Sequence, residues 1–342
     1  MTERVLTLRQ LNRALLARQL LLERADVTPV QALERVAGLQ AQDPRAPYVG
    51  LWTRLAEFRR PDLTRSLQRR DAIKATLMRA TIHLVSARDY ASFLPAVLPT
   101  LRGYWRRYAR SRQYVLDVDA LMDQVRAFAA EPRSARELHA ALGGEAGWWR
   151  LRFHEPFVHA PLDRDWAFRR QPRYIAAAAW VRRPFATADE STAHMVRRYL
   201  AAFGPASPAD VGAWAGVPMS TVRPALERLR LRRFRDEQGR LLLDVPRGLL
   251  PPAGTPAPPR LLAPFDNAVL SHADRTRIVS DEHRRRIIRA GIVDPVFLVD
   301  GFVAGRWRLA RGRVVLDPFE PLSRRAEGAL RREAAAFEEW YR

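Results

Sequence analysis

The sequence predicts an α+β chain in which small units, each two or three helices followed by a two-stranded hairpin, are repeated ahead of a β-rich part. Three observations predict it. A Ser or Thr followed by apolar-periodic helices and then two short strands recurs three times before residue 251. Five prolines then fall within Pro251–Pro259, a composition that makes a semi-rigid spacer and neither helix nor strand. Beyond it, apolar runs alternate with tight-turn signals up to a last helix.

The elements follow in chain order. Thr28-Pro29 combines a hydroxyl N-cap with a proline whose missing N–H costs nothing at the first helical position. Val30, Leu33, Val36 and Leu39 continue at helical spacing, which predicts a helix from about Pro29 to Gln40. Pro44 disfavours helical geometry at Asp43, so the helix should have ended by then. Ile73-Lys74-Ala75-Thr76-Leu77 reads as a strand. Ser134-Ala135-Arg136-Glu137 has the spacing of a capping box and starts the second repeat. In that repeat Trp148-Trp149-Arg150-Leu151-Arg152-Phe153 is expected to form the third helix, with its aromatics inward.

The third repeat is the clearest. Met195, Tyr199 and Ala202 run along one helix, and Ser207 caps the next ahead of Pro208 and Asp210. Gly216-Val217-Pro218 turns the chain, and Val222, Leu226 and Leu229 line the inner side of another helix. Leu231–Arg235 and Arg240–Asp244 then form strands around Asp236-Glu237-Gln238-Gly239. Helix–turn–helix followed by a hairpin is the winged helix, and Arg223, Arg228 and Arg230 lie off the apolar stripe of its recognition helix. Expected boundaries are 1–112, 113–184 and 185–249 for the three units, 250–260 for the linker and 261–342 for the C-terminal domain. The last has hairpin signals at Asp300-Gly301 and Arg311-Gly312 and a helix from about Leu322 to Tyr341.

The chain carries 58 Lys+Arg against 37 Asp+Glu, a formal charge of +21. Lys74 is its only lysine; so strong an arginine bias matches a GC-rich genome, which does not by itself create the surplus of cations. Such a charge attracts a polyanion. Without an apolar run near 18 residues or an N-terminal signal-like segment, the expected polyanion is double-stranded DNA, not a membrane. With no cysteine and no zinc or phosphate-loop spacing, neither metal nor cofactor is expected. A cytoplasmic, nucleoid-associated monomer is the resulting expectation.

Residues 90–116 hold no acidic side chain, and Arg102, Arg106 and Arg110 repeat every fourth residue among Tyr104, Trp105 and Tyr108. The arginines can neutralise phosphates and the rings can stack or wedge; equally, the rings can pack inward and leave the arginines merely solvated.

Val36-Ala37-Gly38-Leu39-Gln40-Ala41-Gln42-Asp43-Pro44 is the segment hardest to explain as scaffold. Residues two apart do not face each other on a helix, but at a helix exit Gln40 and Gln42 can turn into one pocket. Asp43, Arg45, Tyr48 and Trp52 follow closely; simple capping and surface polarity is the alternative.

Gly38-Leu39-Gln40-Ala41-Gln42, with Gly50-Leu51-Trp52 behind it, resembles the catalytic Gln-aliphatic-Gln motif of the AlkZ/YcaQ-type bacterial DNA glycosylases. Met78–Leu84, Pro264–Asn267 with Asp274–Arg277, and Asp300–Trp307 resemble the same family, so the likeness extends over almost the whole chain. It implies three tandem winged helices and a C-terminal β-rich domain forming a concave DNA-binding surface. It also implies excision of bulky or crosslinked N7-alkylpurines, an activity that in some members protects antibiotic producers from their own product. YcaQ-like members carry Asp at the second motif position, so Gln42 points to the AlkZ-like branch.

The residues suit that chemistry. An N7-alkylguanine is already cationic and leaves with little acid catalysis, so the protein has to orient water and stabilise an oxocarbenium-like sugar. A Gln carbonyl can accept a hydrogen bond from that water. Gln42 is expected to position it, with Gln40 assisting at the water or the sugar. Asp43, Trp52, Arg79 and His83 are candidate pocket residues, although His83 is equally a satisfied strand histidine. Arg45, Arg275 and Arg277 join Arg102, Arg106 and Arg110 as candidate DNA contacts. A Schiff-base mechanism needs an amine; the only lysine lies in a strand and the N-terminal amine is the other candidate, so a monofunctional enzyme is expected. A non-enzymatic winged-helix regulator and an architectural DNA binder are the rival readings.

Overall fold

The computed structural model describes residues 3–111, 118–141, 152–164, 166–168 and 171–342. Its N-terminal part runs β1 (Arg4–Leu6), α1 (Leu8–Arg18), α2 (Pro29–Arg35), β2 (Leu39–Gln40), α3 (Ala46–Arg54), α4 (Arg60–Gln68), β3 (Ala72–Thr76), β4 (Ile82–Ser86) and the long α5 (Ala87–Ser111). Thr28 accepts from the Gln31 N–H with Pro29 in the first turn, as the sequence predicts. The helix is shorter than expected, however: its C-cap is Val36. Ala37 and Gly38 then turn left-handed at φ 56° and 84°, and the chain enters β2. A Cβ on Gly38 would meet Val85 Cγ1 at 2.6 Å and the Leu84 carbonyl oxygen at 2.9 Å, so the turn needs glycine for space as well as for φ. Apolar periodicity alone did not show this stop, because Val36 and Leu39 are both buried, one at the helix end and one in the strand.

The middle part contains α6 (Val118–Phe128), β5 (Arg133–Ser134), α7 (Ala135–Ala141), β6 (Phe157–Ala160), β7 (Arg173–Ala176) and the short α8 (Ala177–Trp180). The Ser134/Glu137 capping bonds form in both directions, at 3.2 and 2.7 Å. The expected helix at Trp148–Leu151 lies outside the described residues. A six-stranded sheet in the order β2-β4-β3-β6-β7-β5 runs across the expected boundary at residue 112.

The third repeat comprises α9 (Ala188–Phe203), α10 (Pro208–Ala215), α11 (Met219–Arg228), β8 (Arg232–Asp236) and β9 (Leu241–Asp244). Ser207 and Asp210 make the capping box of α10, and Gly216 ends that helix at φ 71°. β1 adds to this hairpin in parallel, pairing Arg4 with Phe234. The C-terminal part has β10 (Arg260–Leu262), α12 (Asn267–Leu270), α13 (Asp281–Ile287), β11 (Ile288–Arg289), β12 (Ile292–Val293), β13 (Val296–Val299), β14 (Phe302–Ala310), β15 (Arg313–Pro318) and α14 (Arg324–Tyr341). β10-β13-β14-β15 form an antiparallel sheet whose tight turns at Asp300-Gly301 and Arg311-Gly312 have φ > 0 at both residues, as two-residue hairpins require.

α1 ties these parts together. Arg18 is buried and forms a two-pronged ion pair with the buried Asp244 at 2.7 and 2.8 Å. Arg9 and Arg13 donate to the Ala253 and Thr255 carbonyls, so the proline-rich segment is pinned along a helix. The six-stranded sheet is covered on both faces. Ile73, Val85, Val158 and Ile175 join the core containing Tyr199 and Trp214, and Leu39, Ala72 and Leu84 join the core containing Tyr48, Trp52 and Phe168. Among the described residues no helix is long and apolar enough to cross a membrane.

Candidate active site

Gln40 lies in strand β2, not at a helix exit. Its register partner across the sheet is His83 of β4, which pairs in turn with Ala75 of β3. Directly paired residues point to the same face of a sheet, so Gln40 and His83 share the face that packs towards α5 and α9. The ladder carries on past β2: the Ala41 N–H donates to the Ile82 carbonyl at 2.7 Å. At the next step a side chain replaces the main chain, and the Gln42 Oε1 accepts from the Ile82 N–H at 2.9 Å. Gln40 therefore ends a strand and Gln42 lies in the bend that follows it, a correction to the expected helix-end geometry. Gln40 is 6% exposed and Gln42 open to solvent.

His83 is fully buried. Its Nδ1 lies 3.0 Å from the Thr81 carbonyl oxygen, which can only accept, so the proton sits on Nδ1 and the lone pair on Nε2. Burial, reinforced by the nearby Arg79 cation and opposed by the bond to Thr81, pushes the ring down to about 3, so it is neutral at physiological pH. Among the described residues Nε2 has no hydrogen-bond partner. Arg79 stands on the tight turn between β3 and β4, where it and Ala80 both have φ > 0. Its guanidinium donates to Gln40 Oε1 at 3.1 Å and to the Trp214 carbonyl at 2.6 Å. Burial and the neighbouring Arg275 lower Arg79 to about 10, against the stabilising Tyr199, and it stays cationic at neutral pH.

Other expected residues fall further out. Asp43 accepts from the Arg45 N–H at 2.8 Å, closing the turn into α3. Arg45 is exposed, donates to the Tyr341 hydroxyl and lies 5.7 Å over the Trp166 ring. Trp52 is not at the Gln pair: it packs on Phe337 and Trp340 beneath α14 and carries Arg24 on its ring. Arg277 is also corrected. It is buried and donates to the Pro205 carbonyl at 2.9 Å, so it is a scaffold cation and does not face DNA. Arg275 is half-buried beside Arg79. Arg102, Arg106 and Arg110 are exposed on α5, and Arg107 covers the half-exposed Tyr104 ring at 4.8 Å.

Sequence reasoning assigned no role to Asn267 or Trp214. The buried Asn267 donates to the Gly38 carbonyl at 3.1 Å and so holds the turn that feeds Gln40 into its strand. Beside it Asp266 forms a two-pronged buried ion pair with Arg54 of α3 at 2.8 and 2.9 Å. The available signals were the family resemblance of Pro264–Asn267 and a polar pair within an otherwise apolar stretch. Lys74 lies on the sheet face opposite Gln40, 4.1 Å over the Phe168 ring. Burial, partly offset by Asp43, brings it down to about 8. A cavity of about 620 Å³ between α1, the N-terminal end of α10 and the β8–β9 hairpin touches none of Gln40, Gln42, Arg79 or His83. No group of His, Asp or Glu among the described residues is arranged to hold a metal.

The model of a protein family described as "DNA glycosylase AlkZ-like" matches residues 33–340. The chain belongs to the AlkZ-like DNA glycosylase family. It is thus a DNA glycosylase, a repair enzyme whose substrate is DNA. An interstrand DNA cross-link repair glycosylase of Streptomyces sahachiroi is 25% identical over 355 residues, spanning 93% of this chain and 92% of the relative. The solved structure of Streptomyces sahachiroi DNA glycosylase AlkZ superposes with a TM-score of 0.81 at 21% identity, covering 97% of this chain and 95% of the other. The two share the α+β fold.

Proposed function

We propose that this AlkZ-like glycosylase hydrolyses the N-glycosidic bond of N7-alkylated purines, including purines joined in interstrand crosslinks, with water positioned by Gln42 and the nucleotide held by Gln40. The observation that carries this reading is the pair itself. Two amides separated by one residue lie at the end of strand β2 and in the bend just beyond it, each anchored through its carbonyl, to Arg79 and to Ile82. A carbonyl oxygen has two lone pairs, so Gln42 Oε1 can hold the Ile82 N–H and still accept from a water. No strong base is needed when the leaving base is already cationic, and a neutral amide at the nucleophile avoids repelling the phosphates. That the Streptomyces relative is named for interstrand cross-link repair supports the crosslinked substrate.

The enzyme is monofunctional in this reading. The only lysine is buried behind the sheet, on the side away from Gln40, and offers no amine to the sugar. Borohydride should trap no covalent DNA adduct, and recovery of one overturns the monofunctional mechanism. The repeats at 1–112, 113–184 and 185–249 are read as winged-helix units and 261–342 as the β-rich domain, together cupping the duplex. α5, Arg45 and Arg275 contribute cations, and the β11–β12 hairpin, with Ile292 61% exposed and Arg289 exposed, faces a groove.

The deciding experiment measures base release from a duplex bearing 7-methylguanine and from a duplex with a guanine N7–N7 crosslink. Gln40→Ala and Gln42→Ala should each lower the rate by about a hundredfold, the range for loss of one oriented polar group, while DNA affinity is kept. Wild-type rates in both variants would remove the Gln pair from the chemistry.

A further inference from the structure

Gln40 has two chemically different ends, and what decides which of them meets the DNA is Arg79. Among the described residues, the hydrogen bond made to the Gln40 side chain comes from that guanidinium. A guanidinium only donates, so the end of the amide against it is the carbonyl. The N–H₂ end is then left on the other side, where it can donate to an oxygen of the nucleotide.

Arg79 is held from behind by the α10–α11 turn. Its second arm reaches the carbonyl of Trp214 in the last turn of α10. In a continuing helix that carbonyl would accept from residue 218, but residue 218 is a proline and has no N–H. The orphan carbonyl is thus a fixed acceptor, and Arg79 satisfies it. Gly216 closes the seat, since a Cβ there would lie 2.7 Å from the Arg79 backbone nitrogen. Two successive residues with φ > 0 on the β3–β4 turn persist only because the surroundings fix them.

We propose that Arg79 is a positioning residue for base release: it presents the N–H end of Gln40 to the nucleotide from a seat built by the α10–α11 turn. This rests on the Gln-pair reading above. Arg79 has no direct contact with the reacting atoms in it.

The test is single-turnover base release from the guanine N7–N7 crosslinked duplex by the full chain, with a double-mutant cycle. Arg79→Ala should slow the saturated rate by about thirtyfold and leave DNA affinity within about threefold, because the lost interaction is made through Gln40. In the Gln40→Ala background the same change should cost little further, the non-additivity expected of groups acting as a unit. Arg79→Lys supplies a readout that a packing role would not move. Facing His83 of β4, Tyr199 of α9 and Arg275 of the loop before α13, a lysine there is lowered by the same burial and the same Arg275 charge. Its rate should approach wild type near pH 6.5 and fall by about tenfold towards pH 9 as the amine loses its proton, while the wild-type rate stays level. The lysine profile decides the matter even if the alanine variant melts early. The proposal is overturned if the two losses add, if Arg79→Ala weakens DNA binding without slowing the saturated rate, or if the lysine profile is as level as wild type. If Gln40→Ala alone has no effect, the Gln-pair reading falls and takes this one with it. If only Gln40→Ala is slow, this one falls alone.

Discussion

Around Gln40 two side chains of very different character sit on adjacent strands, and their protonation follows from the burial each meets on its own sheet face. His83 shares the face of Gln40 and is stripped of water, so it is neutral. Lys74 occupies the opposite face, where burial brings it to about 8 and it remains largely cationic at pH 7 above Phe168. A charge held so close to neutrality by burial adds little stability, and apolar replacement of buried charges is often neutral or favourable. Lys74→Met should therefore melt no lower than wild type at pH 7 and keep full base release. A fall in melting temperature together with lost activity would make Lys74 part of the site. At this scale the candidate residues were partly legible. Gln40, Gln42, Arg79 and His83 are drawn together, whereas Trp52 and Arg277, equally prominent as letters, are core. A sequence cannot tell a tryptophan beneath α14 from one in a pocket, because both need only apolar neighbours.

The elements carry the DNA-binding charge and the geometry of the motif. From Arg102 to Arg110 α5 rises about 12 Å, at 1.5 Å per residue, with Arg102, Arg106, Arg107 and Arg110 all solvent-exposed. If they neutralise phosphates, replacing Arg102, Arg106 and Arg110 by Gln should reduce the slope of log affinity against log salt by about 3, close to one for each contact, with the melting temperature unchanged. An unchanged slope in salt titrations would leave them as solvated surface. The turn at Gly38 is the other critical element. Gly38→Ala meets Val85 and the Leu84 carbonyl, and overpacking added to positive φ should cost about 2–4 kcal/mol in denaturant unfolding. Helix starts were read correctly at Thr28, Ser134 and Ser207, since a cap is a local hydrogen bond between near neighbours. The stop at Val36 was missed, because strand β2 exists only through β4, more than forty residues downstream.

Over the whole molecule, buried histidines set the response to acid. His83 and His272 are brought to about 3 and His159 is also lowered, in each case by burial first. Their folded pKa values lie below the ordinary 6.5, so between pH 6.5 and 3 the unfolded chain binds more protons and stability falls as pH falls. Each such proton steepens the fall by up to about 1.4 kcal/mol per pH unit. Melting temperatures should hold from pH 8 to 7 and drop steadily below 6.5; His83→Phe should make that decline shallower, and a melting curve level down to pH 5 would contradict the assignment. Taken alone, the sequence determined the helix starts, the hairpin turns, the basic surplus and the Gln-x-Gln pattern, because each depends on residues a few positions apart or on composition. Only the tertiary structure decided that the Gln pair sits at the end of strand β2, that Arg79 joins it to the third helical repeat, and that α1 fastens the linker and the C-terminal part. Those contacts link residues tens to hundreds of positions apart, and a partner carbonyl such as that of Trp214 leaves no mark on the residue that seeks it.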